Sequence, residues 1–233
     1  MANQPLDLVK TRRRKQRWRV FRVSLLIAVP LIVVYVVYFS SLLLVERVTV
    51  KGNSFADTDA VVTAAGISLN DPLARINADK VTANLLELPE IVSVEVRRVW
   101  PHDIILAVVE RTPVAMTETV NGWQYVDEQG IVFGAATDLD ARYTAISGSS
   151  PEVLAEIAAV LFRLPPELID QLVTASGRTR DSIVLFLKNG DEILWGSSDS
   201  TEVKAQVFAL LREQTTANWF DVSSPKLPVV KTR

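Results

Sequence analysis

Cysteine is absent from the 233 residues, which excludes disulfides, a thiol nucleophile and a thiolate metal site. Histidine is almost absent too. The single His102 lies in Trp100-Pro101-His102-Asp103, without a Ser and Asp arrangement around it, and reads as a solvated turn residue rather than a general base. Carboxylates occur as near neighbours: Asp57 with Asp59, Asp138 with Asp140, and Asp191 with Glu192. That spacing fits caps and turns, not the two opposed carboxylates of glycoside hydrolysis. No loop has the density of spaced Asp and Asn that a calcium site needs. Lys188 and Asn189 lack the Gly-rich strand-to-helix context of a phosphate cradle. The residues therefore point to no enzyme, no cofactor and no metal, and leave binding.

Charge is missing altogether from residues 23–45, between Arg22 and Glu46. As a helix this run covers roughly 34 Å, enough for a hydrocarbon core of about 30 Å. Sixteen of its residues are Leu, Ile, Val or Phe, and on the insertion scale they contribute roughly 5 to 10 kcal/mol, more than Ser24, Ser40 and Ser41 oppose. Pro30 is tolerated in a membrane helix because neighbouring groups satisfy the freed carbonyl. Residues 1–22 hold eight Lys and Arg against Asp7 alone, a net +7, so the remainder sums to −9. Basic flanks stay inside, which predicts a cytoplasmic N-terminus, a single-pass type II protein of the cell membrane, and an acidic extracytoplasmic body. A cleaved signal peptide is the competing reading; its apolar core is only 7 to 15 residues and needs a small-x-small site, which does not follow Leu44. The basic arm fits anchoring to anionic lipid; with no nucleic-acid-binding fold or aromatic interleaving, no nucleic acid is expected.

Beyond the span, residues 46–53 alternate Val48 and Val50 with Arg47, Thr49 and Lys51 and stop at Gly52-Asn53, a half-buried strand and a turn. Asp57 is placed to cap a short helix with Val61, Ala64 and Ala65 as its stripe and Gly66 as its stop. A second helix is expected from Asn77 to about Glu87, burying Val81, Leu85 and Leu88 ahead of Pro89. Residues 91–99 alternate again, with Val92, Val94 and Val96 on one face, and residues 104–110 return after the turn at Trp100-Pro101. The order is β-α-α-β-β, about 70 residues long. Further on, residues 122–133 form two strands about Asp-Glu-Gln-Gly, and residues 182–195 form a hairpin about Asn189-Gly190. Residues 151–163 present Val153, Leu154, Ile157, Ala158, Leu161 and Phe162 at helical spacing. Residues 201–213 give a helix with Val203, Val207, Leu210 and Leu211 inward and Lys204 and Arg212 outward, before a last strand at Trp219-Phe220-Asp221-Val222. Residues 134–150 carry no readable element.

Val48-x-Val50-x-Gly52-Asn53, Ala64-Ala65-Gly66-Ile67, Leu88-Pro89, Val94-x-Val96-x-Arg98-x-Trp100-Pro101 and Glu110-Arg111-x-Pro113-Val114-Ala115 resemble the POTRA domain of the FtsQ/DivIB family of bacterial division proteins. The hairpin at 122–133 resembles the opening of that family's β domain, and Asp221-Val222-Ser223-x-Pro225-x-x-Pro228-Val229 resembles the end of its actinobacterial members. The resemblance implies an α+β chain: a basic arm (1–22), a transmembrane helix (23–45), a POTRA domain (46–115), a mostly antiparallel β domain with flanking helices (116–222) and a tail (223–233). It implies a non-enzymatic scaffold of the divisome at the division septum. FtsB/DivIC-type and FtsL-type partners would be bound by strand addition, and the septal synthase pair FtsW/FtsI would be reached indirectly. A POTRA-bearing secretion or envelope-assembly adaptor is the alternative, although the β-barrel of such proteins is not present, and a membrane-tethered hydrolase is the third.

If the sheet runs from Ala115 to Val222 as consecutive hairpins, its last strand is an open edge that recruits a partner strand. Carried over by position, the partner-binding residues are Phe220, Asp221, Val222, Ser223 and Ser224, with Arg180 near the start of a neighbouring strand as a partner for an acidic side chain. Pro225 and Pro228 would limit how far the pairing extends, and Val222→Pro would weaken it.

Overall fold

The computed structural model describes residues 7–39 and 41–232; residues 1–6 of the basic arm, Ser40 and Arg233 lie outside the described residues. The chain divides into two compact units, one of residues 1–53, 57–85 and 93–108, the other of residues 54–56, 86–92 and 109–233.

The first unit starts with a helix, α1 (Asp7–Phe39), in which the stretch Phe21–Phe39 is long and apolar enough to cross a membrane. The expected span of 23–45 is too long at its far end. Ser41–Leu43 form a single 3-10 turn, Leu44 bridges Pro72, and Val45 is wholly buried. The Val45 N–H donates to Asp71 O (2.9 Å) and its carbonyl accepts from the Asn70 N–H (2.9 Å), bonds that a continuing helix would have kept for itself. Absence of charge is thus shared by a span and by the first buried residues of the domain after it.

There follow β1 (Arg47–Lys51), α2 (Thr58–Ala65), a 3-10 turn at Leu73–Arg75, α3 (Ala78–Leu85), β2 (Ile91–Val99) and β3 (Asp103–Glu110), with sheet order β1-β3-β2. This is the expected β-α-α-β-β order. β1 runs parallel to β3, Val48 opposite Ile104 and Val50 opposite Leu106. Val61, Ala65, Leu73, Val81, Leu85, Ile104 and Leu106 fill the core. Asn77 caps α3, its Oδ1 accepting from the Asp79 and Lys80 N–H groups. Asp57 occupies the N-cap of α2 without a side-chain bond. Gly52 ends β1 with φ +88°, and a Cβ there would lie 2.2 Å from the Val108 carbonyl oxygen, so no other residue fits. On β2, Val94 and Val96 are half-buried while Val92 is exposed.

The second unit is a nine-stranded sheet with helices: β4 (Pro113–Thr119), β5 (Gly122–Asp127), β6 (Val132–Ala136), β7 (Thr144–Gly148), α4 (Pro151–Arg163), α5 (Pro166–Ile169), β8 (Leu172–Gly177), β9 (Ile183–Leu187), β10 (Glu192–Gly196), α6 (Thr201–Gln214), β11 (Trp219–Asp221) and β12 (Val229–Lys231). The order is β12-β11-β10-β9-β8-β7-β4-β5-β6. The sheet is mostly antiparallel, but it is not a run of hairpins: β4–β7, β7–β8 and β10–β11 pair in parallel. β4 already begins at Pro113, so the second sheet starts ahead of the expected boundary at 115. β7, in the stretch that carried no readable element, is a central strand; Ile146 is its only large apolar residue, too little for a period to show.

Two further expectations change at the helices. α4 buries Val153, Leu154, Ile157, Ala158, Val160 and Leu161, but Phe162 is 59% exposed. α6 turns about one residue from its expected face. Thr201, Lys204 and Phe208 are buried, whereas Val203 and Leu210 are exposed. Phe208 meets Phe220 edge to face at 5.1 Å, an aromatic contact that outweighs burying Val203 or Leu210. The Lys204 Nζ donates to Ser197 O at 2.8 Å, and burial lowers its pKa against the pull of Asp199, Glu156 and Asp181. Its stem supplies apolar surface while its head is satisfied.

The last expected strand is also placed differently. Phe220 and Val222 are both fully buried, and the Val222 N–H donates to Leu194 O (3.0 Å). Val222→Pro therefore removes a buried backbone bond inside the fold instead of probing an open edge. It is expected to destabilise the second unit by about 1 to 3 kcal/mol, measured as a lower midpoint in chemical denaturation of the full chain; an unchanged midpoint would contradict this placement.

Candidate partner-binding edge

Strand β11 lies between two others. It pairs in parallel with β10, Phe220 opposite Ile193, and antiparallel with β12, Phe220 opposite Val230. Of the edge expected at Phe220, Asp221, Val222, Ser223 and Ser224, Phe220 and Asp221 are thus paired with the chain's own tail, and Val222, Ser223 and Ser224 lie in the connection that leads to it. The connection makes the reversal. Asp221 Oδ1 accepts from the Ser223 N–H (3.0 Å) and hydroxyl (2.7 Å), and the Leu227 N–H returns to Ser224 O (2.9 Å). Pro225 and Pro228 fall inside this connection, where they bend the chain rather than shorten a pairing.

Among the described residues the sheet has two end strands, β6 and β12, and the one beside β11 is β12, Val229–Lys231. Its polarity follows from alternation. Glu192 N–H bonds Asn218 O and Val222 N–H bonds Leu194 O, so residues 218, 220 and 222 direct backbone groups towards β10. Trp219 and Asp221 then face β12, opposite Lys231 and Val229. Val230, between them, directs its N–H and C=O away from the sheet. Its side chain shares a face with Phe220, while Lys231 crosses to the other face and sets its Nζ 4.8 Å from the Trp219 ring centre. The sequence signal for this strand is confined to Val229-Val230, since three residues after two prolines show no alternation.

Arg180 lies elsewhere, in the turn from β8 to β9. It ion-pairs with Glu156 of α4, 2.9 Å from Nη2 to Oε2, with Glu156 9% and Arg180 69% exposed. The Ser198 N–H donates to Glu156 Oε1 at 2.7 Å. Burial pushes the Glu156 carboxyl up, but the bonds from Ser198 and then Arg180 outweigh it and hold the group below the usual carboxylate range. Arg180 is thereby a brace between α4, its own turn and the residues leading into α6.

The chemistry-bearing residues noted above do not converge. His102 Nδ1 lies 3.1 Å from Leu44 O and 3.5 Å from the Glu46 carboxylate. Asp140 pairs with Arg142 at 2.6 Å, and Asp191 is bound by Asn189 at 2.7 Å. Among the described residues no group of three His, Cys, Asp or Glu could hold a metal ion. Among the described residues Arg111 and Asp127 form the most enclosed ion pair, 2.7 Å apart and 17% and 6% exposed. Asp127 Oδ1 also accepts from the Gln129 and Ile131 N–H groups, and Arg111 Nε donates to Pro89 O, so every charge there is occupied by structure.

A depressed carboxyl stabilises the fold above its unfolded pKa, about 4.3 for Glu, and loses that contribution as pH falls through its lower folded value. Glu156→Gln is expected to lower stability at pH 7 and to flatten the decline below about pH 4, read from thermal unfolding across pH. An unaltered acid limb would remove Glu156 from this role.

Two family descriptions match the chain: POTRA domain, FtsQ-type, over residues 43–111, and cell division protein FtsQ/DivIB, C-terminal, over residues 115–226. The cell division protein FtsQ of Streptomyces bingchenggensis is 33% identical over 211 residues, 85% of this chain and 80% of the relative. That of Streptomyces venezuelae is 34% identical over 235 residues, 94% of this chain and 87% of the relative. Of solved structures, the major extracytoplasmic domain of the trans isomer of the cell division protein DivIB from Geobacillus stearothermophilus aligns at a TM-score of 0.32 and 16% identity, covering 46% of this chain and 98% of that one. The matched segments follow one another from residue 43 to residue 226, and these two relatives are covered over 80% and 87% of their length: the chain belongs to the FtsQ/DivIB family of membrane-anchored cell division proteins.

Proposed function

We propose that this chain is a non-catalytic, single-pass scaffold of the division septum that captures short extended segments of FtsB/DivIC-type and FtsL-type partners beside β12. Through them it would couple to the septal synthase pair FtsW/FtsI. The observation that carries the reading is the outward N–H and C=O of Val230 at the β12 end of the nine-stranded sheet. A partner strand would exchange both bonds with Val230, while the flanking Pro228, which has no N–H, offers only its carbonyl. Val229 and Val230 are 46% and 37% exposed and supply apolar contact on opposite faces. Phe220 and Asp221 pair with this strand from the β11 side rather than touching the partner. The orientation rests on the net +7 of residues 1–22, which favours a cytoplasmic N-terminus.

Val230→Pro deletes the outward donor and leaves the β11-facing groups of Val229 and Lys231 in place. Capture of the FtsB/DivIC-type partner by the full chain is expected to weaken about fivefold to tenfold, the worth of one backbone hydrogen bond of roughly 1 to 1.5 kcal/mol, with thermal unfolding unchanged. Equal capture by variant and parent would discard the edge. For topology, protease added to intact cells, with any outer envelope made permeable, is expected to remove the residues after α1 and spare those before it; loss of the arm with protection of the body would reverse the assignment.

A further inference from the structure

Beyond α1, the described residues of the first unit expose four large apolar side chains: Leu42 (66%), Leu69 (61%), Val99 (41%) and Trp100 (51%). They come from three separate segments, and all three segments are tied to the place where the chain leaves the helix. Leu42 is in the 3-10 turn directly after it. Leu69 precedes Asn70 and Asp71, whose backbone groups both bond to Val45 at 2.9 Å. Val99 and Trp100 open the β2–β3 turn, where the His102 carbonyl accepts from the Glu46 N–H (2.9 Å) and the His102 ring reaches Leu44 O (3.1 Å). The helix end is fixed to the same place, since the Arg75 guanidinium lies 4.4 Å over the ring of Phe39, the last residue of α1.

From Phe39 to Val45 an extended chain spans at most about 20 Å, and a 3-10 turn, rising about 2 Å per residue, makes the distance shorter. With Phe21–Phe39 across a bilayer, this end of the unit therefore stands at the membrane–water boundary. A Trp indole and isolated aliphatic side chains are what that layer accommodates, the ring being apolar in body and polar at its N–H. Glu46, 67% exposed, stands beside them, which holds the end at headgroup level and out of the hydrocarbon.

We propose that the first unit docks this end on the bilayer, with Leu69 and Trp100 seated among the lipid headgroups, so that the sheet is held to the membrane by a second contact besides the helix. The inference rests on reading Phe21–Phe39 as the span, and the test separates the two. Because the chain has no cysteine, single positions can be labelled. Leu69→Cys, Trp100→Cys, Lys51→Cys at the far end of β1 and Ile32→Cys within the helix would each carry a water-soluble fluorophore. The full chain would be placed in phosphatidylcholine and phosphatidylglycerol nanodiscs containing a lipid nitroxide at headgroup depth, and then one at acyl depth. Labels at 69 and 100 are expected to be quenched severalfold more by the headgroup nitroxide than the label at 51. Equal quenching at 51, 69 and 100 with strong acyl quenching at 32 overturns the docking and leaves the span standing. No quenching at 32 overturns the span, and the docking with it.

Discussion

A buried strand needs partners for its backbone on both sides, and that requirement organises the end of this chain. Phe220 and Val222 are wholly enclosed, so any unpaired N–H or C=O beside them would be desolvated at a cost of roughly 1 to 3 kcal/mol each. β10 satisfies one side of β11, and the tail, returned by the turn at 222–228, satisfies the other. This end of the sheet is thereby moved to a strand whose side chains are exposed or half-exposed, where unpaired backbone groups are hydrated at no such cost. An edge of this kind is available to a partner without the domain depending on it.

The same economy governs the charges. Arg111 with Asp127 and Arg180 with Glu156 are ion pairs at junctions between elements that are also bonded to backbone, and Lys204 donates to the backbone carbonyl of Ser197. No buried side-chain polar atom among the described residues lacks a partner. Carboxylates committed in this way serve the fold.

Much of the architecture was readable from local pattern. The alternation of Val48 and Val50, the stop at Gly66, the Asn77 start of α3 and the Asn189-Gly190 turn are each a physical rule acting within a few residues. Gly190 takes φ +89° in a three-residue loop closed from Leu187 to Asp191. Gly130 repeats that loop at Asp127 to Ile131 with φ +79°. α6 was not readable in the same way. Its sequence supports two apolar faces, and the choice fell to Phe208 only because Phe220 lies across from it.

What the sequence determined by itself was the uncharged helix with its basic flank, the β-α-α-β-β order, the hairpins and the family, all of which depend on contacts or periods short enough to leave a local trace. What only the tertiary structure decided was where the span ends, which face α6 buries, that β7 is central and that β12 closes β11. Each of these is settled by a partner distant in the chain: Asn70 and Asp71 for Val45, Phe220 for Phe208, Ala115 to Thr117 for β7, and Trp219 to Asp221 for β12. A three-residue strand has too few residues to show a period, so it becomes visible only when the surface that it pairs with is in place.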